Sequence, residues 1–593
     1  MGRYSPNIIG NYLAALGRHN AQGEAMVCGE RGITWVRLVS RVNRLAQALI
    51  RHGVRRGDKV AFMFHNTPEF VEVNFAAQSC GAVPVPINYR FTAVEVARQL
   101  EHCDAVVLIY DALWAEAGEG ALELLGDDAP RTLVCLGTSG RDGVQRYSDF
   151  VATGADRPPD ISTSLDDVAV MVYTGGTTGP PKGVMLTYGA HLEMFASLLA
   201  QIMARGAQMD LTEEQLRRVV DTMPVPGLRY LAGLTRSQMA RSVFAHPWTA
   251  VILRRGLREL LTRPELSRLG YRFPIRYMTP SMPFFHDASY QMLMLGVMAG
   301  NLTFLLSASP TFDAEQVLAT IERERPFFLA NVPTGWKKLV RHPAVGRHDL
   351  SSVRVAATGT GVCPVELKRR IMECFPGVII VDMLGQTEMT PITSFRIDAS
   401  PETLKERSVG QTIVEARIVD EQGRDLPTGE TGEIWYRSAT QMKGYYKDPD
   451  STARITRDGW LHSGDLGYVD EEGELRIVDR KQECINTGGE KVYPQEVEQV
   501  LGQHPCVEQV CVIGVPDDEW GEAVRAVVQA RPGESATAEE LSTYCRDRLA
   551  GFKIPRQVVF VDQIPLSPLG KVLRGRIREL HGQAGDTDQG ASC

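Results

Sequence analysis

Helical and strand-like patterns alternate through the first 110 residues, and this alternation constrains the fold more than any other feature. Residues 35–52 place apolar side chains at helical spacing, while the short apolar runs 59–64 and 105–110 are typical of buried strands. Further helices are expected over 70–79 and 95–103. Strands that alternate with helices form βαβ units around a mostly parallel sheet. The sequence therefore predicts an α/β fold.

The pattern changes near residue 410, where short strands between glycine-rich turns predict a small antiparallel subdomain. After residue 481 a compact α+β segment follows. We expect a large N-terminal domain of parallel-type sheets over 1–481, which includes the antiparallel subdomain. A smaller, mobile α+β domain is expected over 482–582, and a disordered polar tail over 583–593.

Composition excludes several classes of protein. Hydrophobic residues make up 44% and charged residues 23% of the 593 residues, which rules out a disordered or collagen-like chain. The net charge of −8 argues against non-specific nucleic-acid binding, so no nucleic-acid partner is expected. The eleven cysteines form no Cys-x-x-Cys pair, so neither a zinc site nor a disulfide framework is predicted. Without a signal-peptide pattern or an apolar run longer than 292–306, we expect a cytoplasmic protein.

The segment Tyr173–Gly183 has the composition of a polyphosphate-binding loop, and it lies between a strand over 168–172 and a helix expected from Gly189. Its glycines let backbone N–H groups turn toward an anion, its threonines add hydroxyl donors, and Lys182 adds a positive charge. It is not a Walker A loop, because Lys182 follows proline and precedes glycine. The candidate phosphate-binding residues are Thr174, Gly175, Gly176, Thr177, Thr178, Gly179 and Lys182.

This loop and four later segments together resemble the adenylate-forming enzymes, the superfamily that includes the acyl-CoA synthetases. The later segments are Leu384–Glu388, Trp460–Gly467, Asp479–Lys481 and Pro565–Lys571, and they occur in the family order. The resemblance extends from about residue 33 to residue 574. It implies ATP, Mg²⁺ and coenzyme A as the cofactor and co-substrates.

The resemblance also implies a role for each segment. Thr387 is expected at the α-phosphate, and Glu388 and Thr177 are expected to hold Mg²⁺. Asp465 and Arg480 are expected to contact the ribose hydroxyls. Lys571 would bridge the substrate carboxylate and the α-phosphate, where its charge offsets the negative charge of the attack. The remaining residues expected along the nucleotide and CoA path are Gly359, Thr360, Leu384, Gly385, Gln386, Gly488, Gly489 and Glu490, with Leu384 in place of the family's adenine-stacking tyrosine.

Two positions leave alternatives open. His286, in Pro283–His286, resembles the motif before the acid-binding pocket and would flank the acyl group; the alternative is a core histidine with a satisfied hydrogen bond. Gln482 stands at the hinge about which the family's C-terminal domain rotates between its two reactions. The family has Asp or Lys there, and glutamine keeps the hydrogen bonding without the charge.

The stretch of 104 residues from Lys182 to His286 is longer than in the family, with the excess at about 205–276. We expect a helical insertion, with a helix start at 211–216 and an amphipathic, arginine-rich helix over 250–269. Three uses stay open for it: a solvated helical subdomain, a lid over the acyl tunnel, and a surface for acidic membrane headgroups or a carrier protein.

Together these features predict an AMP-forming acyl-CoA ligase. A carboxylic acid and ATP would give acyl-AMP and pyrophosphate, and the CoA thiol would then displace AMP. The expected acid is a medium- or long-chain fatty acid, followed by a bulky hydrophobic acid, because Phe284, Phe285 and the run 292–295 indicate an apolar acyl environment. Two alternatives remain: an acyl-AMP ligase that loads a separate carrier protein, and a non-catalytic binding protein on the same fold.

Overall fold

The structure is a computed structural model. It describes residues 7–174, 181–206, 242–244, 246–265, 275–300, 302–307, 309–361, 363–487, 490–517, 520–546, 548–567 and 570–583. Several predictions therefore lie outside the described residues. They concern Gly175, Gly176, Thr177, Thr178 and Gly179 of the phosphate loop, Gly488 and Gly489, the helix start at 211–216, most of the 205–276 insertion, and the tail from residue 584.

The chain forms two compact units. The first contains the described residues of 1–174, 182–406 and 438–454, and the second those of 175–181, 407–437 and 455–593. The helices α1 to α16, numbered over the described residues, are Ile8–His19, Trp35–Arg51, Pro68–Ser79, Ala93–Cys103, Ala115–Leu125, Tyr147–Ala152, Tyr188–Gly206, Pro247–Leu261, Asp287–Ala299, Ala314–Glu324, Pro333–Val340, Val365–Cys374, Pro449–Ile455, Pro494–Leu501, Ala538–Arg546 and Arg574–His581.

The strands are numbered in the same way. In chain order, β1 to β27 are Glu24–Cys28, Arg31–Thr34, Lys59–Met63, Val83–Pro86, Ala105–Asp111, Thr132–Leu136, Gln145–Arg146, Val168–Thr174, Lys182–Thr187, Ile275–Met278, Leu302–Leu306, Phe328–Asn331, Val355–Gly359, Ile379–Gly385, Ile392–Asp398, Gln411–Thr412, Glu415–Val419, Gly432–Arg437, Gly444–Tyr445, Thr456–Arg457, Trp460–Val469, Leu475–Arg480, Ile485–Thr487, Glu490–Val492, Val507–Asp517, Gly521–Ala530 and Gln557–Phe560.

The first unit has the predicted α/β architecture. Its largest sheet has the order β15-β14-β13-β12-β10-β11-β1-β2, in which the strands from β14 to β1 are parallel and the two outer strands are antiparallel to their neighbours. A second sheet, β4-β3-β5-β6-β7, is parallel throughout. Helices cover these strands as alternating βαβ patterns require. The wholly buried Trp336 in α11 belongs to the core that packs on the large sheet, and its indole Nε1 donates to Ala357 O at 3.0 Å.

The second unit contains the predicted antiparallel subdomain and the α+β segment. The subdomain sheet runs β17-β18-β21-β20, and β22 pairs with β21. The C-terminal sheet runs β24-β23-β26-β25, with β27 parallel to β26. Among the helices of the described ranges, none combines the length and the apolar character that crossing a bilayer requires.

Three local predictions differ from the structure. The phosphate loop is followed by strand β9, which pairs antiparallel with β8, so it joins two strands of a hairpin before helix α7 begins. The apolar run 378–381 predicts a strand that ends at Val381, but β14 extends to Gly385 because β15 pairs with it over that length. The helix expected over 250–269 ends at Leu261, since Pro264 disfavours helical geometry in the residue before it.

Candidate active site

The carboxyl ends of the parallel strands β10, β12, β13 and β14 meet at one edge of the large sheet, where α/β folds bind their ligands. Polar groups collect at this edge. The Ser281 hydroxyl donates to Asn331 Oδ1 at 2.5 Å and accepts from Val332 N at 3.1 Å. Asn331 Nδ2 and the Thr360 hydroxyl are buried, and neither has a partner within the described part of the chain. Such orphaned polar atoms fit a polar ligand at this edge.

Two predicted nucleotide-site glycines stand where the backbone leaves no room for a side chain. A Cβ on Gly385 would lie 1.6 Å from Pro391 O, and one on Gly359 would lie 2.9 Å from Met383 O. The next residue, Gln386, donates its N–H to Pro391 O at 2.8 Å and closes the turn between β14 and β15. Glycine is therefore required at 359 and 385 by the close approach of the backbone, in addition to any role at the nucleotide that the resemblance implies.

Glu388 and Lys182, which are 206 residues apart in sequence, belong to one polar cluster. The Tyr445 hydroxyl donates to Glu388 Oε1 at 2.7 Å. Lys182 Nζ lies 4.8 Å from the centroid of the Tyr445 ring and 3.8 Å from Asp448 Oδ2. Burial, and then the charge of Glu388, raise the pKa of Tyr445, so its hydroxyl stays protonated and donates. Pairing of β9 with β19 and of β9 with β8 sets these positions, and it places Thr174 opposite Lys182.

Sequence reasoning missed Tyr445 and Asp448. Their local signal is the pattern Gly444-Tyr445-Tyr446 followed by Asp448-Pro449, which is typical of a short strand that ends at a capped helix start. Asp448 does accept from Ser451 N at 2.9 Å at the start of α13. The pattern does not reveal that Tyr445 contacts Glu388, because that contact depends on strand pairing across distant segments.

His286 caps helix α9, with its ring Nδ1 accepting from Ala288 N at 3.4 Å. The next residue, Asp287, is buried and accepts from Gln291 Nε2 at 2.8 Å, and Gln291 Oε1 in turn lies 2.8 Å from His191 Nδ1. Burial, and then the charge of Glu388, raise the pKa of Asp287 to about 7. The charge of Glu388 therefore acts on Asp287, the neighbour of His286, within the first unit.

In the second unit, the three charged residues that the resemblance singled out come together. Asp465 and Arg480 are directly paired on β21 and β22, and Arg480 Nε lies 2.6 Å from Asp465 Oδ1. The Asp465 side chain is 10% exposed and the Arg480 side chain 54%, so the ion pair joins a nearly buried carboxylate to a guanidinium open to solvent. Lys571 is an exposed residue, yet desolvation of its ammonium lowers its pKa to about 8. Arg480 lowers that pKa further, while Asp465 raises it.

The other predicted residues are placed by strands and turns. Leu384 and Gly385 end β14, Gln386 follows, and Thr387 begins the 3-10 turn Thr387–Met389 that carries Glu388. Glu490 begins β24 and pairs with Thr487 on β23. No cluster of three or more His, Cys, Asp or Glu side chains within the described ranges could hold a metal by protein ligands alone.

Comparison with known proteins places this geometry in a family. The family of AMP-binding enzymes matches residues 14–222 and 266–446, and the C-terminal domain of AMP-binding enzymes matches residues 496–571. A feruloyl-CoA synthase from Amycolatopsis sp is 32% identical over 97% of this chain and 99% of its own length. The 3-[(3aS,4S,7aS)-7a-methyl-1,5-dioxo-octahydro-1H-inden-4-yl]propanoyl:CoA ligase of Rhodococcus jostii is 31% identical, again over 97% of this chain and 99% of its own.

Among solved structures, the amide bond synthetase McbA from Marinactinospora thermotolerans is 27% identical, with a TM-score of 0.73 over 97% of this chain and 100% of its own. Residues 223–265, within the predicted insertion, fall outside the matched segments of the family. The matches cover the large domain and the C-terminal domain in the predicted order, and the relatives span nearly the whole chain. The chain therefore belongs to the AMP-binding, adenylate-forming enzymes, in the acyl-CoA synthetase branch of AMP-forming acid–CoA ligases.

Proposed function

We propose that this enzyme joins a bulky hydrophobic carboxylic acid to coenzyme A in two steps. The observation that carries the proposal is that Asp465 and Arg480 form an ion pair and that their charges act on Lys571 in the same unit. In step one, a carboxylate oxygen attacks the α-phosphorus of ATP, which forms the acyl phosphate anhydride and releases pyrophosphate. In step two, the CoA thiol attacks the acyl carbon, loses its proton and releases AMP.

The residues act by position and charge, as expected for transfer at phosphorus. Asp465 accepts hydrogen bonds from the ribose hydroxyls, and Arg480 holds its carboxylate in place. Lys571 offsets the negative charge that builds up where the carboxylate meets the α-phosphate. Lys182 acts at the released phosphates, and the Tyr445 ring and Asp448 orient its side chain. No covalent bond to the enzyme forms in either step.

Glu388 fits the role of a Mg²⁺ ligand. A carboxylate has two oxygens, and the hydrogen bond from Tyr445 uses one of them, Oε1. Protein sites commonly bind Mg²⁺ through one or two carboxylates plus substrate phosphates, which agrees with the lack of a larger ligand cluster among the described residues. Thr177, the second proposed ligand, lies outside the described residues. Bound Mg²⁺ would neutralise phosphate charge.

For the acid, we propose ring-bearing hydrophobic acids first and fatty acids second. The relatives named above act on a feruloyl group and on a fused-ring propanoyl group, which favours ring-bearing acids. The fatty acid expected from sequence relied on six apolar residues, of which three lie in the core, while Phe285, Met292 and Leu295 are only partly buried. Phe284 is wholly buried against Phe70 and Phe304, with ring centroids 5.5 and 6.2 Å away, and Leu293 and Met294 are also wholly buried.

For the final acceptor, we propose CoA, with a carrier protein as the second candidate. Gln482 in place of the family's charged hinge residue keeps this alternative open. The C-terminal domain over 482–582 is proposed to rotate about this hinge between the steps. His286 is proposed to flank the acyl group. The protein is proposed to be cytoplasmic.

The inserted segment is proposed to serve as a contact surface. Its described helix α8 is bound to α7 by Arg254 and Arg258, whose guanidinium nitrogens lie 3.3 and 3.5 Å from the buried Glu193 carboxylate. Part of the predicted solvated basic face is therefore paired. Trp248 and Ile252, one turn apart, are 67% and 68% exposed and would meet the partner. Flotation with anionic vesicles distinguishes a membrane from a carrier protein as that partner.

The test is mass spectrometry on the purified protein with Mg·ATP and a pooled panel of ring-bearing acids and fatty acids. CoA, a carrier protein bearing a thiol arm, or neither would be supplied as acceptor. Acyl-CoA with AMP supports the proposal and identifies the acid class. Acyl-AMP that reacts only with the carrier protein would show that the enzyme is a carrier-loading ligase and not a CoA ligase. Absence of acyl-AMP with every acid, while ATP still binds, would indicate the non-catalytic alternative. Lys571→Ala serves as the control that should lose acyl-AMP formation.

A further inference from the structure

Helix α14 lacks a cap of its own, and a side chain from β22 takes that place. Tyr493 precedes the helix, and its side chain makes no capping hydrogen bond in the described structure. Instead, the Asp479 carboxylate accepts from Gln495 N at 2.9 Å, and also from Arg480 N at 2.7 Å. Asp479 is 1% exposed, so both bonds are shielded from water. A carboxylate at a helix N-terminus satisfies backbone donors that the helix leaves unpaired.

The same helix is bound to the loop that carries Lys571. Glu498 on α14 accepts from Val512 N at 2.7 Å and forms an ion pair with Arg574, the first residue of α16. Arg574 Nε also donates to Val512 O at 3.2 Å. Two residues separate Arg574 from Lys571, so a displacement of α14 would displace that loop.

Strand β22, which carries Asp479, also carries Arg480, whose charge acts on Lys571. The Lys571 ammonium lies where the charges of both Arg480 and Asp465 act on it, and Arg480 directly follows Asp479. Strand β22 therefore carries both the carboxylate that holds the start of α14 and a charge that acts on Lys571. Asp479 holds the start of α14, and Arg480 with its partner Asp465 flanks Lys571.

We propose that Asp479 is a positioning residue for acyl-AMP formation, which ties α14 to β22 and thereby keeps Lys571 beside Asp465 and Arg480. This inference rests on the proposed function, which gives Lys571 its role in step one. Asp479 itself contacts no substrate in that scheme. The proposed hinge residue Gln482 lies between Asp479 and Gln495, so the rotation proposed for step two would break their hydrogen bond.

The central experiment compares the two half-reactions in Asp479→Ala and the unmodified enzyme. Step one is followed by pyrophosphate exchange into ATP, and step two by thioester formation from supplied acyl-AMP and CoA. We expect step one to fall by about 10- to 100-fold, as loss of a buried hydrogen-bond acceptor implies. The rate of step two should stay within about twofold of the rate of the unmodified enzyme. The reason is that step two does not use Lys571 in the position that Asp479 maintains.

Two further variants keep the comparison interpretable. Asp479→Asn keeps one acceptor oxygen for two backbone donors and should give an intermediate loss in step one. Asp470→Ala is the matched control, because Asp470 accepts from Glu472 N at 3.0 Å, from Glu474 N at 2.9 Å and from Arg476 Nε at 2.8 Å, and none of these partners lies on α14. It should leave the ratio of the two steps unchanged. If Asp479→Ala fails to fold, the same ratio is measured on Asp479→Asn.

Amide hydrogen exchange of residues 493–498 provides a readout that does not depend on catalysis. Exchange there should be faster in Asp479→Ala and unchanged in Asp470→Ala. Equal loss of both half-reactions, or an unchanged step one, would overturn the inference. If the unmodified protein makes no acyl-AMP with any acid, the proposed function fails instead. In that case the amide hydrogen exchange still tests the contact. An unchanged rate at residues 493–498 in Asp479→Ala would show that this carboxylate does not hold α14.

Discussion

The pH dependence of acyl-AMP formation offers a direct test of the role of Lys571. Its pKa of about 8 lies well below the usual value for lysine because burial of the ammonium disfavours the charged form. The Arg480 guanidinium lowers the pKa further, and the Asp465 carboxylate opposes this effect. The positive charge needed in step one is therefore lost as pH rises through this value, not near pH 10.

The size of the effect follows from that pKa. With a pKa of about 8, roughly nine-tenths of Lys571 is protonated at pH 7 and roughly one-tenth at pH 9. We expect kcat/KM for step one, which reports the free enzyme, to fall about tenfold per pH unit above that value. The corresponding decline in kcat should occur at higher pH, because phosphates of bound ATP favour the charged ammonium.

The assay is pyrophosphate exchange between pH 6.5 and 10, which avoids the titration of the CoA thiol in step two. Lys571→Arg is the matched variant, since arginine stays charged throughout this range. It should have a lower maximum rate but no decline above pH 8. A decline that persists in Lys571→Arg, or a flat profile in the unmodified enzyme, would refute the assignment.

Three further predictions concern the first unit. Tyr445→Phe removes a hydrogen bond to the Glu388 carboxylate worth about 1.5–3 kcal/mol, so the apparent Mg²⁺ requirement in pyrophosphate exchange should rise about 10- to 100-fold; an unchanged Mg²⁺ titration would contradict the role of Tyr445. Gly385→Ala forces a Cβ onto backbone atoms and should cost about 3 kcal/mol in urea unfolding, whereas a loss below about 0.5 kcal/mol would show that the turn adapts. Lys368→Met removes the ion-pair partner of the buried Asp382 carboxylate, whose Oδ2 lies 2.5 Å from Lys368 Nζ. This substitution should destabilise the fold by about 3–5 kcal/mol. Because the unpaired carboxylate would have a raised pKa, this loss should shrink as pH falls and Asp382 becomes protonated; a loss independent of pH would contradict it.

The sequence predicted elements best where their patterns are local. The helix expected over 35–52 is Trp35–Arg51, and the strand expected over 59–64 is Lys59–Met63. Periodicity and turn residues lie within one element, so they can be read without knowing the partners of that element. Strand β9 was missed because its short apolar pattern follows the glycine-rich loop without a break that a single sequence reveals.

The resemblance singled out Asp465, Arg480 and Lys571, which lie in one unit, and their roles stay predictions. It did not identify Tyr445, which binds Glu388 across 57 residues of sequence. Nor did it identify Asp479, which caps a helix that begins 15 residues later. These residues act through partners that the fold selects, and no pattern within a short stretch of sequence specifies such partners.

The sequence alone therefore determined the fold class and the family, because these depend on local periodicity and on motifs that occur in a set order. Only the tertiary structure decided that Phe284 is core, and that Arg254 and Arg258 pair with Glu193. Burial and ion pairing depend on which surfaces meet after the chain has folded. Side chains with the same local pattern can pack in the core or face a ligand, and the packing of distant segments decides between the two.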